Sequence, residues 1–112
     1  MAGTFVIEQR DNGEFQFNLV AENGQVILTS EGYGAKQSCL DGVESVRTNS
    51  QDDARYARNT ASDGRPYFNL TAANGQVIGA SQMYADEAGR DAGISSVKGN
   101  APGAAVSRNE PA

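Results

Sequence analysis

Apolar and polar positions alternate along the first thirty residues and then change period. Thr4 to Arg10 opens β-branched and aromatic, as a strand does. Glu14 to Glu22 alternates cleanly: Phe15, Phe17, Leu19 and Ala21 point one way, and Gln16, Asn18 and Val20 the other. Gln25 to Ser30 gives a third strand. Asp11-Asn12-Gly13 and Glu22-Asn23-Gly24 separate the three as tight turns, because Asn and Gly tolerate the positive φ that hairpins require. From Ala35 to Asn49 the apolar residues Cys39, Leu40, Val43 and Val46 recur at threes and fours, the stripe of an amphipathic helix. The pattern predicts a three-stranded meander with one buried face, followed by a helix.

The order then repeats. Asn-Gly-Gln-Val-Ile occurs at 23–27 and again at 74–78, and at that offset 16 of the 37 positions from Gly13 to Asn49 are identical without a gap. Tyr67 to Thr71 and Gln76 to Ser81 are the matching strands, and a second helix is expected from about Glu87 to Lys98 with Asp86 as its N-cap. That helix reads as the weaker one, since Gly89 and Gly93 each cost about 1 kcal/mol of propensity relative to Ala. The segment 53–58 aligns upstream with Phe5 and its neighbours and downstream with 104–108. The strand after the first helix therefore doubles as the opening strand of the second copy, and the C-terminal strand returns to the first copy's side. A unit of about fifty residues buries too little surface to stand alone, so both copies should share one core. The expectation is one domain over 1–112, with repeats at about 3–52 and 53–108 and a mobile tail at 109–112.

These motifs carry a resemblance. Phe68-Asn69-Leu70-Thr71-Ala72-Ala73-Asn74-Gly75-Gln76-Val77-Ile78, then Gly93-Ile94-Ser95-Ser96-Val97-Lys98 and Asn100-Ala101-Pro102, are similar to the YegP-like family over nearly the whole chain. The resemblance implies an α+β fold: two tandem β3-α-β repeats forming one antiparallel sheet, two helices on one face, and C-terminal strands exchanged between repeats. It implies small bacterial domains, either tandem in one chain or paired as a dimer. It transfers no catalytic residue, because the family has no established biochemical function. Two local departures are the missing Ser near Ala35 and the polar Arg90-Asp91 in the second helix, which bear on how tightly that helix packs.

Composition narrows the partners. The net charge is −5; residues 1–51 hold seven acids and three bases, and residues 52–112 seven and six. Neither half supplies the cationic surface that drives nucleic-acid or anionic-membrane binding, so neither is an expected partner. The single cysteine, Cys39, permits no internal disulfide and fits a reducing compartment. The N-terminus lacks a signal peptide's basic start and apolar run, and no apolar stretch approaches spanning length. The expected setting is cytoplasmic, and the expected state a monomer with pseudo-twofold symmetry.

Candidate chemistry is sparse. Histidine is absent, which removes the commonest general base and metal ligand. No catalytic residue, metal site or cofactor is expected, and the chain reads as a non-enzyme. Cys39 lies on the apolar stripe, where packing outweighs a reactive thiol as its role. Asp52-Asp53 reads as a solvated turn rather than an acid/base pair. Gly42 and Gly93 sit mid-helix at one repeat position, which points to close docking of the helix on the sheet or its sister helix, with a ligand against bare backbone as the alternative. Tyr33 and Tyr84 recur at the strand-to-helix junctions, where a ring buries itself and the hydroxyl reaches water. The sheet face away from the helices should show Asn18, Asn69 and Tyr67, with the two asparagines either reading a polar ligand or standing as ordinary outer residues. The reading is a binding module for a protein or small polar ligand. Its alternative is a small-molecule binder with two related sites near the Tyr33 and Tyr84 junctions.

Overall fold

The computed structural model describes residues 3–108. The strands are β1 (Thr4–Gln9), β2 (Phe15–Val20), β3 (Val26–Thr29), β4 (Tyr56–Thr60), β5 (Pro66–Thr71), β6 (Val77–Ala80) and β7 (Ala105–Arg108). The helices are α1 (Lys36–Asn49) and α2 (Glu87–Asn100), with a 3-10 turn, Asp53–Arg55, before β4. All seven strands form one sheet in the order β4-β5-β6-β3-β2-β1-β7. The tail expected to be mobile, 109–112, lies outside the described residues.

The doubled strand is present: β4 follows α1 yet opens the second half, and β7 crosses back to the first half's edge. The sheet is mixed, however, not antiparallel throughout, because β7 pairs parallel with β1. A strand that arrives from a helix on the far half runs in the direction its crossover dictates, which local sequence does not encode. The halves join at the centre, where β3 and β6 meet antiparallel through Thr29 and Ala80.

All four hairpins use one turn. Gly13, Gly24, Gly64 and Gly75 hold φ of 87–90°, and no other residue has positive φ among those described. The preceding Asn or Asp is therefore not left-handed. Its carboxamide or carboxylate oxygen instead accepts the N–H two residues on, at 2.9–3.1 Å, in each of the four turns.

Both helices lie on one face. Beneath them Phe5, Ile7, Phe17, Leu19, Phe68 and Leu70 are fully buried, as the alternation predicts. Each helix contacts the middle strand of its own half and the third strand of the other, α1 on β2 and β6, α2 on β5 and β3. The core is thus shared. A bulge between β2 and β3 turns both Ile27 and Leu28 inward, and the same bulge recurs with Ile78 and Gly79. The second helix is not shorter than the first: each spans 14 residues. Asp86 accepts the Gly89 N–H and caps α2, whereas Ala35 offers α1 no side chain, which offsets part of the glycine cost.

Candidate functional site

The open face is built around the β3–β6 seam. Register carries one row of neighbours across six strands: Val6, Asn18, Thr29, Ala80, Asn69 and Ala57. Asn18 and Asn69 flank the seam symmetrically, three strand spacings or about 14 Å apart. Both are half-buried, and no group among the described residues hydrogen-bonds either side-chain amide. Val26 and Val77, also identical in the two copies, are 41% and 36% exposed. They lie towards opposite ends of a shallow groove of about 300 Å³ that runs along the seam past Thr29 and Ala80. Tyr67 shares this face, paired with Asn59 and one pleat from Asn69, but its counterpart is Gln16, so it stands outside the symmetric set.

Tyr33 and Tyr84 belong to the other side of the sheet. Each ring stacks on a core phenylalanine at 6.4 Å, Tyr33 on Phe17 and Tyr84 on Phe68. Each also lies across the mid-helix glycine of its own half. A Cβ added at Gly42 would stand 2.9 Å from Tyr33 Cζ, and one at Gly93 2.6 Å from Tyr84 Cζ. The closest partner of those glycines is thus a tyrosine ring, and behind it comes the sheet: the same Cβ would stand 3.1 Å from Phe17 Cε2 at Gly42 and 3.3 Å from Phe68 Cε2 at Gly93. Burial pushes both phenols up; the nearness of Cys39 and Glu31 adds to the rise at Tyr33, and the Gln82 side chain offsets part of it at Tyr84.

Tyr84 also edges a cleft of about 400 Å³ between the halves. Asn23, Gln25 and Ile27 of the first half face Gln82, Tyr84, Gly89, Ala92, Gly93 and Ser96 of the second. The repeated turn of one copy thus closes over the repeated tyrosine-glycine pair of the other. The repeat-equivalent residues of this cleft lie over α1, where α1 packs on β6 as α2 packs on β3. The motif and the tyrosines were both visible in sequence, but their meeting depends on the β3–β6 pairing.

The remaining candidates have structural partners. Cys39 is fully buried and burial raises its thiol pKa, so it packs. Asp52 accepts the Ala54 N–H and starts the 3-10 turn. Asp53 accepts from Lys98 Nζ at 2.9 Å and Arg58 at 3.1 Å, and these two cations, Lys98 first, hold its carboxyl below the usual range. The buried Ser30 was missed by sequence reading. Its Oγ accepts the Phe17 N–H at 2.9 Å and donates to the Glu31 carbonyl, and Ser81 does the same for Phe68 and Gln82. Recurrence of this serine in both copies was the available signal.

The model of the family described as "Domain of unknown function (DUF1508)" matches twice, at residues 11–56 and 61–107. The chain belongs to this family. The UPF0339 protein YegP of Escherichia coli is 50% identical over 109 residues, 97% of this chain and 99% of that protein. A UPF0339 protein in the ptx operon 5' region of Stutzerimonas stutzeri is 57% identical over 106 residues, 95% of this chain and 96% of its own length. The solution NMR structure of E. coli yegP superposes with a TM-score of 0.94 at 48% identity, covering 100% of this chain and 97% of that one. That of a UPF0339 protein of Shewanella oneidensis gives 0.92 at 47%, covering 98% and 93%. No specific function is assigned to the family. Among the described residues no helix is long and apolar enough to cross a membrane.

Proposed function

We propose that this chain is a non-enzymatic binding module of the bacterial cytoplasm whose open sheet face docks a short, extended, uncharged polypeptide segment along the β3–β6 seam. One observation carries this reading. Of the exposed or half-buried residues kept identical in both copies, Asn18/Asn69 and Val26/Val77 are the strand pairs that face away from the core around the seam, and neither asparagine amide has a partner among the described residues. Apart from Gln25 and Gln76 beside the turns, the other repeated residues along the strands fill the core, bridge strands or hold turns, so the fold accounts for them. Two valines along a strand-parallel groove, with an asparagine amide one strand to either side, suit a segment with alternating apolar and hydrogen-bonding side chains. The test is site-specific photo-crosslinking in cells. A photoreactive residue at position 29 or 80 should yield a discrete protein adduct that a Val26→Lys/Val77→Lys double variant abolishes, while the same residue at exposed position 44 of α1 yields none. Equal adducts from all three positions would contradict the reading.

A second reading is favoured by the inter-half cleft. At about 400 Å³ it lies within the usual size range of small-molecule pockets, and polar side chains from both halves converge in it.

A further inference from the structure

The cleft over α2 and the repeat-equivalent residues over α1 have diverged in charge. Of the nine residues lining the α2 cleft, three differ from their counterparts 51 positions away: Gln82 replaces Glu31, Ala92 replaces Asp41 and Gly89 replaces Ser38. The other six are identical, against 16 of 37 along the repeat as a whole. Most of the six have a structural task. Ile27 packs inward, Tyr84 and Gly93 interlock, Asn23 holds its turn, and Ser96 accepts from Asn100 Nδ2 at 3.2 Å. Gln25 and Gln76 do not: both are exposed, and neither carboxamide has a partner among the described residues.

The α2 cleft therefore sets two carboxamides, Gln25 and Gln82, beside the Tyr84 hydroxyl, on a floor of Ile27, Ala92 and bare Gly93 backbone. No lining side chain carries a formal charge. A carboxamide donates and accepts at once, so it pairs with another amide through two hydrogen bonds. A carboxylate can only accept. At the α1 counterpart Glu31 stands where Gln82 does, and Asp41 adds a second negative charge. A ligand carbonyl placed there would meet an acceptor, leaving its own oxygen unpaired and costing the carboxylate hydration.

We infer that the α2 cleft is a binding site for a small uncharged molecule bearing a carboxamide or lactam, and that Glu31 and Asp41 deny this specificity to the equivalent position over α1. The inference rests on the cleft reading; Gln82 also borders the open-face groove, so Thr29 and Ala80 serve as the controls for that face. Selectivity comes from the donor that Gln82 supplies and Glu31 lacks. A site built to hydrogen-bond a ligand discriminates strongly once one of its partners is wrong.

The experiment is a ¹H–¹⁵N correlation titration of the full chain with nicotinamide, a neutral carboxamide, and with nicotinate, its anionic isostere. Nicotinamide should shift the amides of Gln25, Gly89, Gly93 and Ser96 in a saturable way, leave Gly42 and Ser45 in place, and leave Thr29 and Ala80 on the open face unmoved. Nicotinate should produce at least tenfold weaker shifts. Gln82→Glu, at an exposed position that preserves the fold, should weaken nicotinamide at least tenfold, and Ala92→Asp should weaken it in the same direction. The converse variant, Glu31→Gln/Asp41→Ala, should bring out a second set of shifts at Gly42 and Ser45. Absence of saturable shifts at the α2 cleft, equal shifts at Gly42 and Ser45 of the parent chain, or indifference to Gln82→Glu would overturn the proposal. Shifts confined to Thr29 and Ala80 would overturn it while leaving the open-face reading intact.

Discussion

The two halves differ in kind at the point where they meet each other. Leu28 and Gly79 are repeat counterparts, yet they lie against one another near the pseudo-twofold axis: a Cβ added at Gly79 would stand 2.7 Å from Leu28 Cγ. Two leucines would claim one volume, and two glycines would leave it empty. Away from the axis the halves keep the same contact with different residues. Phe5 meets Phe17 edge-on at 5.7 Å, and Tyr56 meets Phe68 likewise. Arg47 lies over the Phe5 ring at 5.4 Å, and Lys98 over Tyr56 at 5.6 Å. Duplication preserved geometry where each copy packs within itself, whereas at the axis a single volume holds the side chain of only one copy.

This comparison can be broken by variants that confuse the halves. Leu28→Ala opens a cavity at the axis and should cost about 2–5 kcal/mol in urea denaturation. Gly79→Leu, which restores repeat identity, overpacks the same point and should cost about 1–3 kcal/mol. Exchanging the pair, Leu28→Gly/Gly79→Leu, should recover part of the summed loss; strict additivity would mean the two positions do not share one volume.

A second pair of variants tests the tyrosine-glycine lock. Gly42→Ala and Gly93→Ala should each destabilise by about 1–3 kcal/mol, although alanine is the better helix former. Combining either with the matching tyrosine truncated to Ala should show strong coupling in a double-mutant cycle. A gain in stability from Gly93→Ala alone would show that the Tyr84 ring yields freely.

The serine bridge should separate the halves by burial. Ser30 is buried and Ser81 half-exposed. Ser30→Ala leaves the Phe17 N–H without its acceptor and should cost about 2 kcal/mol, and Ser81→Ala closer to 1 kcal/mol, because water reaches the Phe68 N–H more readily. The smallest effect is at the helix starts. Asp86→Ala should cost about 1 kcal/mol, and Ala35→Asp should add somewhat less than that to α1, both read as shifts in the denaturation midpoint.

Much of the fold was legible because local chemistry specifies it. The Phe17-Asn18-Leu19 alternation sorts core from open face, and the Cys39–Val46 stripe marks the helix. The aligned segments at Phe5, Tyr56 and Val106 announce the shared strand. What sequence could not supply depends on distant partners. The parallel run of β7 on β1 follows from its crossover. Gly42 and Gly93 signalled a close approach, but only tertiary structure names the rings of Tyr33 and Tyr84 as the occupants. Nor could sequence show that Arg90 packs most of its length where Cys39 sits in α1. On the site, Asn18, Asn69 and Tyr67 stand on the face that alternation assigns them. The cleft was invisible, since it joins a turn of one half to a helix of the other.

Native-state hydrogen exchange on Phe17→Ala tests most directly whether the copies share one interior. Removing this ring from β2 should cost about 3–5 kcal/mol. If the core is common, the slowest amides of β5 at Phe68 and Leu70 should lose protection by the same amount as those of β2, although the substitution lies in the other half. Unchanged protection in β5 beside a full loss in β2 would show two independent units and contradict the account.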